Sequence, residues 1–382
     1  MRFTKLLLTN WRNFRHVEVD LKERVFLVGP NASGKSNLLD AFRFLRDIAE
    51  PHGGFQKAVA DRGGVSRLRS LHARRHSEVV VDVCIEHEGQ AWRYRLAFVQ
   101  DNVRRPVVKE EQVWRGNNLL LDRPDDADRK DAGRLSQTHL EQVTANLAFR
   151  DMAHGLSSVR YLHLVPQLIR DPERYVHKHA GHDPFGGDFL EQLARAQREQ
   201  RRTFESRMQR INQALQVAVP RLQELRLERD ETGRPHLRAL YGHWRPQAGW
   251  QSEAELSDGT LRLLGLLWSV LDGSGPLLLE EPELSLHEAV VRHLPAMIGR
   301  ATRKSRRQVL LSTHAAALLS DGSIGADEVL LLRPTEEDTE VVTASNVEAV
   351  RALLADGVPM GEAVLPQVAP AGPEQLLLRF GV

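Results

Sequence analysis

Residues 29–36 read Gly29-Pro30-Asn31-Ala32-Ser33-Gly34-Lys35-Ser36, which completes the G-x-x-x-x-G-K-[ST] pattern of a phosphate-binding loop. Immediately before it, Arg24-Val25-Phe26-Leu27-Val28 is a short apolar run of the kind a buried strand needs. Immediately after it, Asn37-Leu38-Leu39-Asp40-Ala41-Phe42-Arg43-Phe44-Leu45 sets apolar residues at helical spacing. Strand, glycine-rich turn and helix together supply a mechanism. Glycines let the backbone fold tightly around phosphate oxygens, so that N–H groups and a helix N-terminus point at the anion. In that frame Lys35 is expected to reach the β- and γ-phosphates of a nucleoside triphosphate, and Ser36 to hold Mg²⁺.

A chain of 382 residues, 41% apolar and 27% charged, has the composition of an ordinary soluble protein with two or three structural units. It contains no run of about 18 apolar residues, so neither a transmembrane helix nor a membrane partner is expected. The opening Met1-Arg2-Phe3-Thr4-Lys5-Leu6-Leu7-Leu8-Thr9-Asn10 reads as a first strand, because its apolar run is too short for a signal peptide and carries no small-residue cleavage site. The single cysteine, Cys84, allows no internal disulfide and fits a reducing, cytoplasmic location. A net charge of +1 excludes a chain that binds polyanions over its whole surface, so a nucleic-acid contact would have to be a local patch.

Patterning divides the chain into four stretches. Residues 1–134 hold two strands around a turn, the phosphate loop, and several antiparallel strands between residues 78 and 122. Residues 135–245 change character: helical periodicity over Leu140–Leu156 and Phe189–Val217, around a Pro/Gly/His-rich stretch, reads as a mostly helical inserted lid. Residues 246–342 return to alternating apolar strands and helices, as in a parallel α/β sheet. Residues 343–382 form a C-terminal cap with a short helix at Val347–Leu354.

Three elements of the third stretch complement the loop. An apolar strand, Pro276-Leu277-Leu278-Leu279, ends in Glu280-Glu281-Pro282-Glu283, where Glu280 is placed to bind the metal and Glu281 to act as general base on the attacking water. Upstream, Glu255-Leu256-Ser257-Asp258-Gly259-Thr260 opens an apolar helix, and a Ser and a Gly at a helix N-terminus can cap it or bind a phosphate. Downstream, Gln308-Val309-Leu310-Leu311-Ser312-Thr313 delivers His314 at a strand's C-terminal end, where ligands sit in open α/β sheets. Each pattern alone is weak; their order and spacing carry the weight.

Taken together, these motifs resemble the ABC-type ATPases of the RecF/SMC-like group, in the prokaryotic AAA-family "predicted ATPase" branch with a short lid. The resemblance implies an α/β fold: a P-loop NTPase ABC-type head with an N-terminal antiparallel β subdomain and an inserted helical lid. It implies that Gly29 to Ser36 is Walker A, that Leu256-Ser257-Asp258-Gly259-Thr260 replaces the LSGGQ signature, that Leu277 to Glu281 is Walker B with the catalytic glutamate, and that His314 is the switch histidine. Asn10-Trp11-Arg12-Asn13-Phe14 is similar to the N-F-R-N-F of RecF-like heads, which adds Arg12 and Asn13, with Asn37 after the loop, to the expected nucleotide contacts. Two departures stand out. Glu280 replaces the usual Asp, adding a methylene while keeping the charge, and Asp258 stands where transporters carry Gly. Gln137 or Gln142 would supply the glutamine that senses Mg²⁺ and water.

The family further implies binding of ATP and Mg²⁺ and an ATP-dependent homodimer, in which Ser257 and Gly259 of one subunit cap the γ-phosphate held by Lys35 of the other. The expected role is a switch in DNA maintenance or repair, or in defence against foreign DNA. The alternative is the ATPase subunit of a two-component defence or toxin system that senses a protein or RNA and controls a separate nuclease or effector. A transporter subunit and a non-hydrolysing scaffold fit the motifs less well. Candidate DNA contacts are Arg195, Arg198, Arg201, Arg202, Arg207 and Arg210 on one helix, where interleaved acids favour a solvated face, and Arg67, Arg69, Arg74 and Arg75 on a loop. The run Arg300, Arg303, Lys304, Arg306, Arg307 reads as a solvated helix end. His177, His179, His182 and Asp183 match no zinc spacing.

Overall fold

The computed structural model describes residues 1–70, 78–171, 183–242 and 249–370. Strands are numbered in chain order. The strand that enters the phosphate loop, β3 (Arg24–Val28), lies inside a six-stranded sheet of order β15-β14-β3-β13-β12-β8. Its members β8 (Arg160–Leu162), β12 (Leu277–Glu280), β13 (Val309–Thr313) and β14 (Val329–Pro334) run parallel to it, and β15 (Thr339–Thr343) runs antiparallel at the edge. All five residues of β13 are buried, as expected for a strand covered on both faces. Side-chain alternation splits the apolar residues between two cores. Val25, Leu27, Leu278 and Leu310 face the loop helix α1 (Lys35–Ala49), whereas Phe26, Leu277, Leu279 and Leu311 face the side of the helix Asp258–Leu271.

A second, antiparallel sheet of order β2-β1-β4-β5-β6-β7 covers the other side of α1. It comprises β1 (Arg2–Trp11), β2 (Phe14–Asp20), β4 (Val79–His87), β5 (Gln90–Gln100), β6 (Pro106–Arg115) and β7 (Asn118–Arg123). Phe3, Trp11, Phe44, Phe55 and Phe98 bury their rings between this sheet and α1. The mixed α/β class, with an antiparallel β subdomain beside a parallel P-loop sheet, is therefore the fold.

The stretch 135–245 is less helical than its periodicity suggests. Leu140–Asn146 forms turns, because the buried Glu111 carboxylate captures the backbone N–H groups of His139 (2.8 Å) and Leu140 (3.1 Å); a regular helix begins only at Arg150. β8 then joins the parallel sheet beside β12. The helices Phe189–Glu199 and Arg201–Ala218 follow, and β9 (Leu222–Arg229), β10 (Pro235–Tyr241) and β11 (Trp250–Ser252) form a small antiparallel sheet against them. The single arginine-striped helix is corrected to two helices that break at Gln200 (φ −136°, ψ 48°). The charged run Arg198–Arg202 has no apolar residue to carry one packed face across, and the buried residues Leu193 and Phe204 lie on either side of it. Arg195, Arg198, Arg201, Arg202 and Arg210 are exposed, whereas Arg207 ion-pairs Asp272 at 2.7 Å.

Arg307 also departs from expectation. It is not solvated: it is 3% exposed and donates to the carbonyls of Gly275 (2.7 Å), Ser269 (2.5 Å) and Asp272 (2.6 Å). It thereby caps the C-terminus of helix Asp258–Leu271, where carbonyls lack intrahelical partners. Arg74, Arg75, His177, His179 and His182 lie outside the described residues; the Asp183 carboxylate accepts the N–H groups of Phe185 and Gly187 at 2.9 Å each.

Candidate nucleotide site

Three strands end on the same rim of the parallel sheet. β3 leads into the phosphate loop, β12 into Glu280 and Glu281, and β13 into His314. The loop needs its glycines where the sequence puts them. Gly34 sits at φ 95°, a region open to glycine, and a Cβ there would collide with the Asn13 amide. A Cβ on Gly29 would fall 2.5 Å from Ser33 Oγ. Ala32 also takes a left-handed φ of 64°, and Pro30, Asn31 and Ala32 form the outer lip, with Asn31 and Ala32 exposed.

Lys35 is 6% exposed and curls back over the loop, donating from Nζ to the carbonyls of Gly29 (2.9 Å) and Pro30 (3.1 Å). Its ammonium is 3.9 Å from Glu281 Oε1. Burial lowers its pKa, and Glu281, Glu280 and Glu283 oppose that shift. Ser36 Oγ donates to Glu280 Oε1, and the Tyr161 hydroxyl donates to Glu280 Oε2. Glu281 leaves the strand at φ 43°, a left-handed value for a non-glycine residue. Its N–H is held by Ser312 O (3.1 Å), and its Oε1 meets His314 Nδ1 at 3.1 Å. That turn resolves a difficulty of consecutive strand residues, which otherwise point to opposite faces. Both carboxylates reach the loop.

Behind the loop lies a polar bracket. Asn13 Nδ2 donates to Ser33 O (3.1 Å) and Thr339 Oγ1 (2.8 Å), and its Oδ1 accepts from Asn37 Nδ2 (2.7 Å). Arg12 Nη2 donates to Asp40 Oδ2 at 2.7 Å. Burial pushes the Asp40 carboxyl up, but Arg62 and Arg12 outweigh it and hold the group below its ordinary value. Ser33 Oγ is buried without a hydrogen-bond partner among the described residues. A loop with an orphaned hydroxyl and a lysine on its own carbonyls, beside a Ser–Glu pair of hard oxygen donors, fits a Mg²⁺-bound phosphate chain. Ser36 and Glu280 are the residues that could hold the metal.

Ser257 caps the helix Asp258–Leu271, its Oγ accepting the Thr260 N–H at 3.2 Å. The Asp258 carboxylate is bound by Arg170 at 2.6 Å, and a Cβ on Gly259 would meet Ser285 O at 2.6 Å. Among the described residues no hydrogen bond or ion pair joins Ser257, Asp258 or Gly259 to residues 29–36 of the same chain. Among the described residues the two glutamine candidates bond elsewhere than the loop: Gln142 Nε2 bonds Gln137 Oε1 at 3.2 Å, and Arg123 binds the Gln137 carbonyl. Gln167, which follows β8, instead bonds Asp258 at 3.4 Å. Sequence reading gave Tyr161 no role at the site; its strand's pairing with β12 is what brings it to Glu280.

Comparison with known proteins follows the same lines. Residues 24–320 match the family described as "AAA domain, putative AbiEii toxin, Type IV TA system". A stretch of 109 residues is 30% identical to the DNA replication and repair protein RecF of Synechocystis sp., and 91 residues are 30% identical to RecF of Picosynechococcus sp.. These matches cover 28% and 23% of this chain and 28% and 24% of the relatives, so the chain aligns with only about a quarter of their length. In fold it is similar to an SMC head bound to the C-winged helix domain of ScpA (TM-score 0.53, 17% identity, covering 90% of this chain and 97% of that one). It is equally similar to an SMC head with an extended coiled coil, bound to the C-terminal domain of ScpA derived from Pyrococcus furiosus (TM-score 0.53, 14% identity, 93% and 98%). With more than three quarters of its residues inside that family match, the chain belongs to this AAA-domain family, and its fold is that of the SMC heads.

Proposed function

We propose that this protein hydrolyses ATP and uses it as a switch, closing as a homodimer on two ATP molecules and opening after hydrolysis, in DNA maintenance or repair or in defence against foreign DNA. One observation carries the reading: Lys35, Ser36, Glu280, Glu281 and His314 converge on one rim of the sheet, with Ser36 meeting Glu280, and Lys35 and His314 both meeting Glu281. Lys35 is positioned to leave its own carbonyls for phosphate oxygens. Glu281, hydrogen-bonded to His314, is the carboxylate available to accept the proton of an attacking water, and His314 Nδ1 orients it. Mg²⁺, held by Ser36 and Glu280, would neutralise charge on the phosphate oxygens. The Ser257 helix N-terminus has no phosphate loop of its own chain bonded to it, which supports an anion supplied by a second copy. ATP drives closure by binding the closed form more tightly.

The RecF relatives, named for DNA replication and repair, support a DNA role. The toxin–antitoxin wording of the family description supports the second reading, an ATPase that controls a separate effector. The test is Glu281→Gln. It is expected to bind ATP, remain dimeric with ATP, and hydrolyse it about a hundredfold or more slowly; turnover at the wild-type rate refutes the base assignment. DNA binding by this variant is then measured with and without Mg-ATP across a salt series. ATP-dependent binding that weakens steeply with salt supports phosphate contacts by the closed dimer. No binding at low salt by a confirmed dimer favours the effector reading.

A further inference from the structure

Glu280 is one methylene longer than an aspartate, so its carboxylate has more room to swing, and the structure shows what restrains it. β8 pairs with β12 so that Tyr161 lies in register with Leu278. Glu280, two residues beyond Leu278, shares its face of the sheet, the face that α1 covers. From the neighbouring strand the Tyr161 hydroxyl therefore meets Glu280 Oε2, while Ser36 at the start of α1 meets Oε1. The phenol ring is itself fixed. Tyr161 is 4% exposed, and the Arg43 guanidinium, from two turns along α1, lies 4.1 Å from its centroid. The cation sits over the ring face, where the π-system attracts it. A carboxylate only accepts, so the phenol O–H is the donor in this contact.

We infer that Tyr161 is a positioning residue which occupies one oxygen of Glu280 and leaves the other, beside Ser36, as the single carboxylate oxygen offered to a divalent cation. This deepens the nucleotide-site reading and rests on it. It explains how a glutamate can serve where the shorter aspartate is usual: the hydroxyl of a buried tyrosine takes up the extra reach. Hydrogen bonds to a ligating carboxylate orient it, and removing such a partner costs about ten- to a hundredfold in metal affinity.

The experiment uses the full chain in four forms: wild type, Tyr161→Phe, Glu280→Asp and the double variant. Mn²⁺ bound with a non-hydrolysable ATP analogue is titrated by electron paramagnetic resonance. Analogue binding in EDTA and thermal unfolding in EDTA are measured alongside. Tyr161→Phe is expected to raise the Mn²⁺ midpoint about tenfold or more, with metal-free analogue affinity and melting temperature close to wild type. In the Glu280→Asp background, where the shorter carboxylate has lost its reach to the phenol, the same change is expected to move the midpoint less than about twofold. A Tyr161→Phe midpoint unmoved in an otherwise nucleotide-binding protein overturns the inference alone, as does an equal shift in both backgrounds. Wild-type protein that binds no analogue, with or without Mn²⁺, overturns the nucleotide-site reading and this inference with it.

Discussion

Two clusters of carboxylates and cations, one at the antiparallel sheet and one at the rim of the parallel sheet, are built to different standards. Under the antiparallel sheet, Arg123 is fully buried and spends all five N–H groups: on Asp128 (2.8 and 2.9 Å), on Glu111 (2.9 Å), and on the carbonyls of Gln137 and Arg134. Glu111 also accepts from the Tyr94 hydroxyl and from two backbone N–H groups. At the rim of the parallel sheet, Lys35 rests on its own loop, Ser33 Oγ has no partner, and buried Glu283 has one carboxylate oxygen without a partner among the described residues. Glu281 holds a left-handed backbone, and His314 is exposed. The first cluster is closed, every donor matched, and its chemistry is structural. The second has groups in provisional contacts that an anion and a cation could replace, and strained backbone concentrates in sites of that kind.

The sharpest way to break this contrast is to remove one cation from each cluster. Arg123→Met should strand two buried carboxylates and destabilise the fold by about 3–5 kcal/mol, read from urea unfolding. A loss below about 1 kcal/mol would show that the sealed network is not structural. Lys35→Met should do the reverse. Its stability should stay within about 1 kcal/mol of wild type, while affinity for ATP falls by about 2–5 kcal/mol, measured by equilibrium binding. If it instead destabilises the fold by more than about 3 kcal/mol while the folded protein keeps its ATP affinity, the two clusters have been assigned the wrong way round.

Between these extremes lies Asp40, which accepts from both Arg62 and Arg12 behind the loop. Asp40→Asn should cost about 1–3 kcal/mol, because Arg62 is buried and keeps only Asp47 as a carboxylate partner. It should also weaken ATP binding modestly by loosening Arg12. A stability loss without any change in affinity would place Arg12 outside the site.

What the sequence made legible here was local. The phosphate loop, its strand and its helix are consecutive, and Glu280, Glu281 and His314 each stand at the end of an apolar run, so order alone grouped them. Tyr161, β8 and Arg43 were illegible for a different reason. β8 has only three residues, and its partner β12 lies more than a hundred positions later, so no local pattern announces the pairing. Arg307 looked solvated because four of the five basic residues in its run are, and nothing in the run reveals that a helix C-terminus stands opposite. Gln137 was drawn from the family's logic, but a buried arginine had already claimed its backbone.

The smallest expected effect extends the comparison to a half-exposed cluster, and its sign follows from the chemistry. His236 Nδ1 meets the buried Glu253 carboxylate at 2.6 Å, and Nε2 lies 3.4 Å from Asp230. The hydrogen bond to Glu253, helped by its charge and by Asp230, raises the imidazole pKa above its ordinary 6.5. A raised histidine favours the folded state when protonated. Its contribution is therefore complete below the unfolded value, near 6.5, and disappears as pH climbs through the higher folded value. With the ring more than a third exposed, solvent screening keeps the effect small. The urea midpoint of wild type, compared with His236→Gln, should thus be higher at pH 5.5 and converge above pH 8. Parallel profiles across that range would show that a half-exposed ion pair contributes nothing here, which would sharpen the contrast with the sealed Arg123 network by leaving burial alone to decide which charges hold the fold.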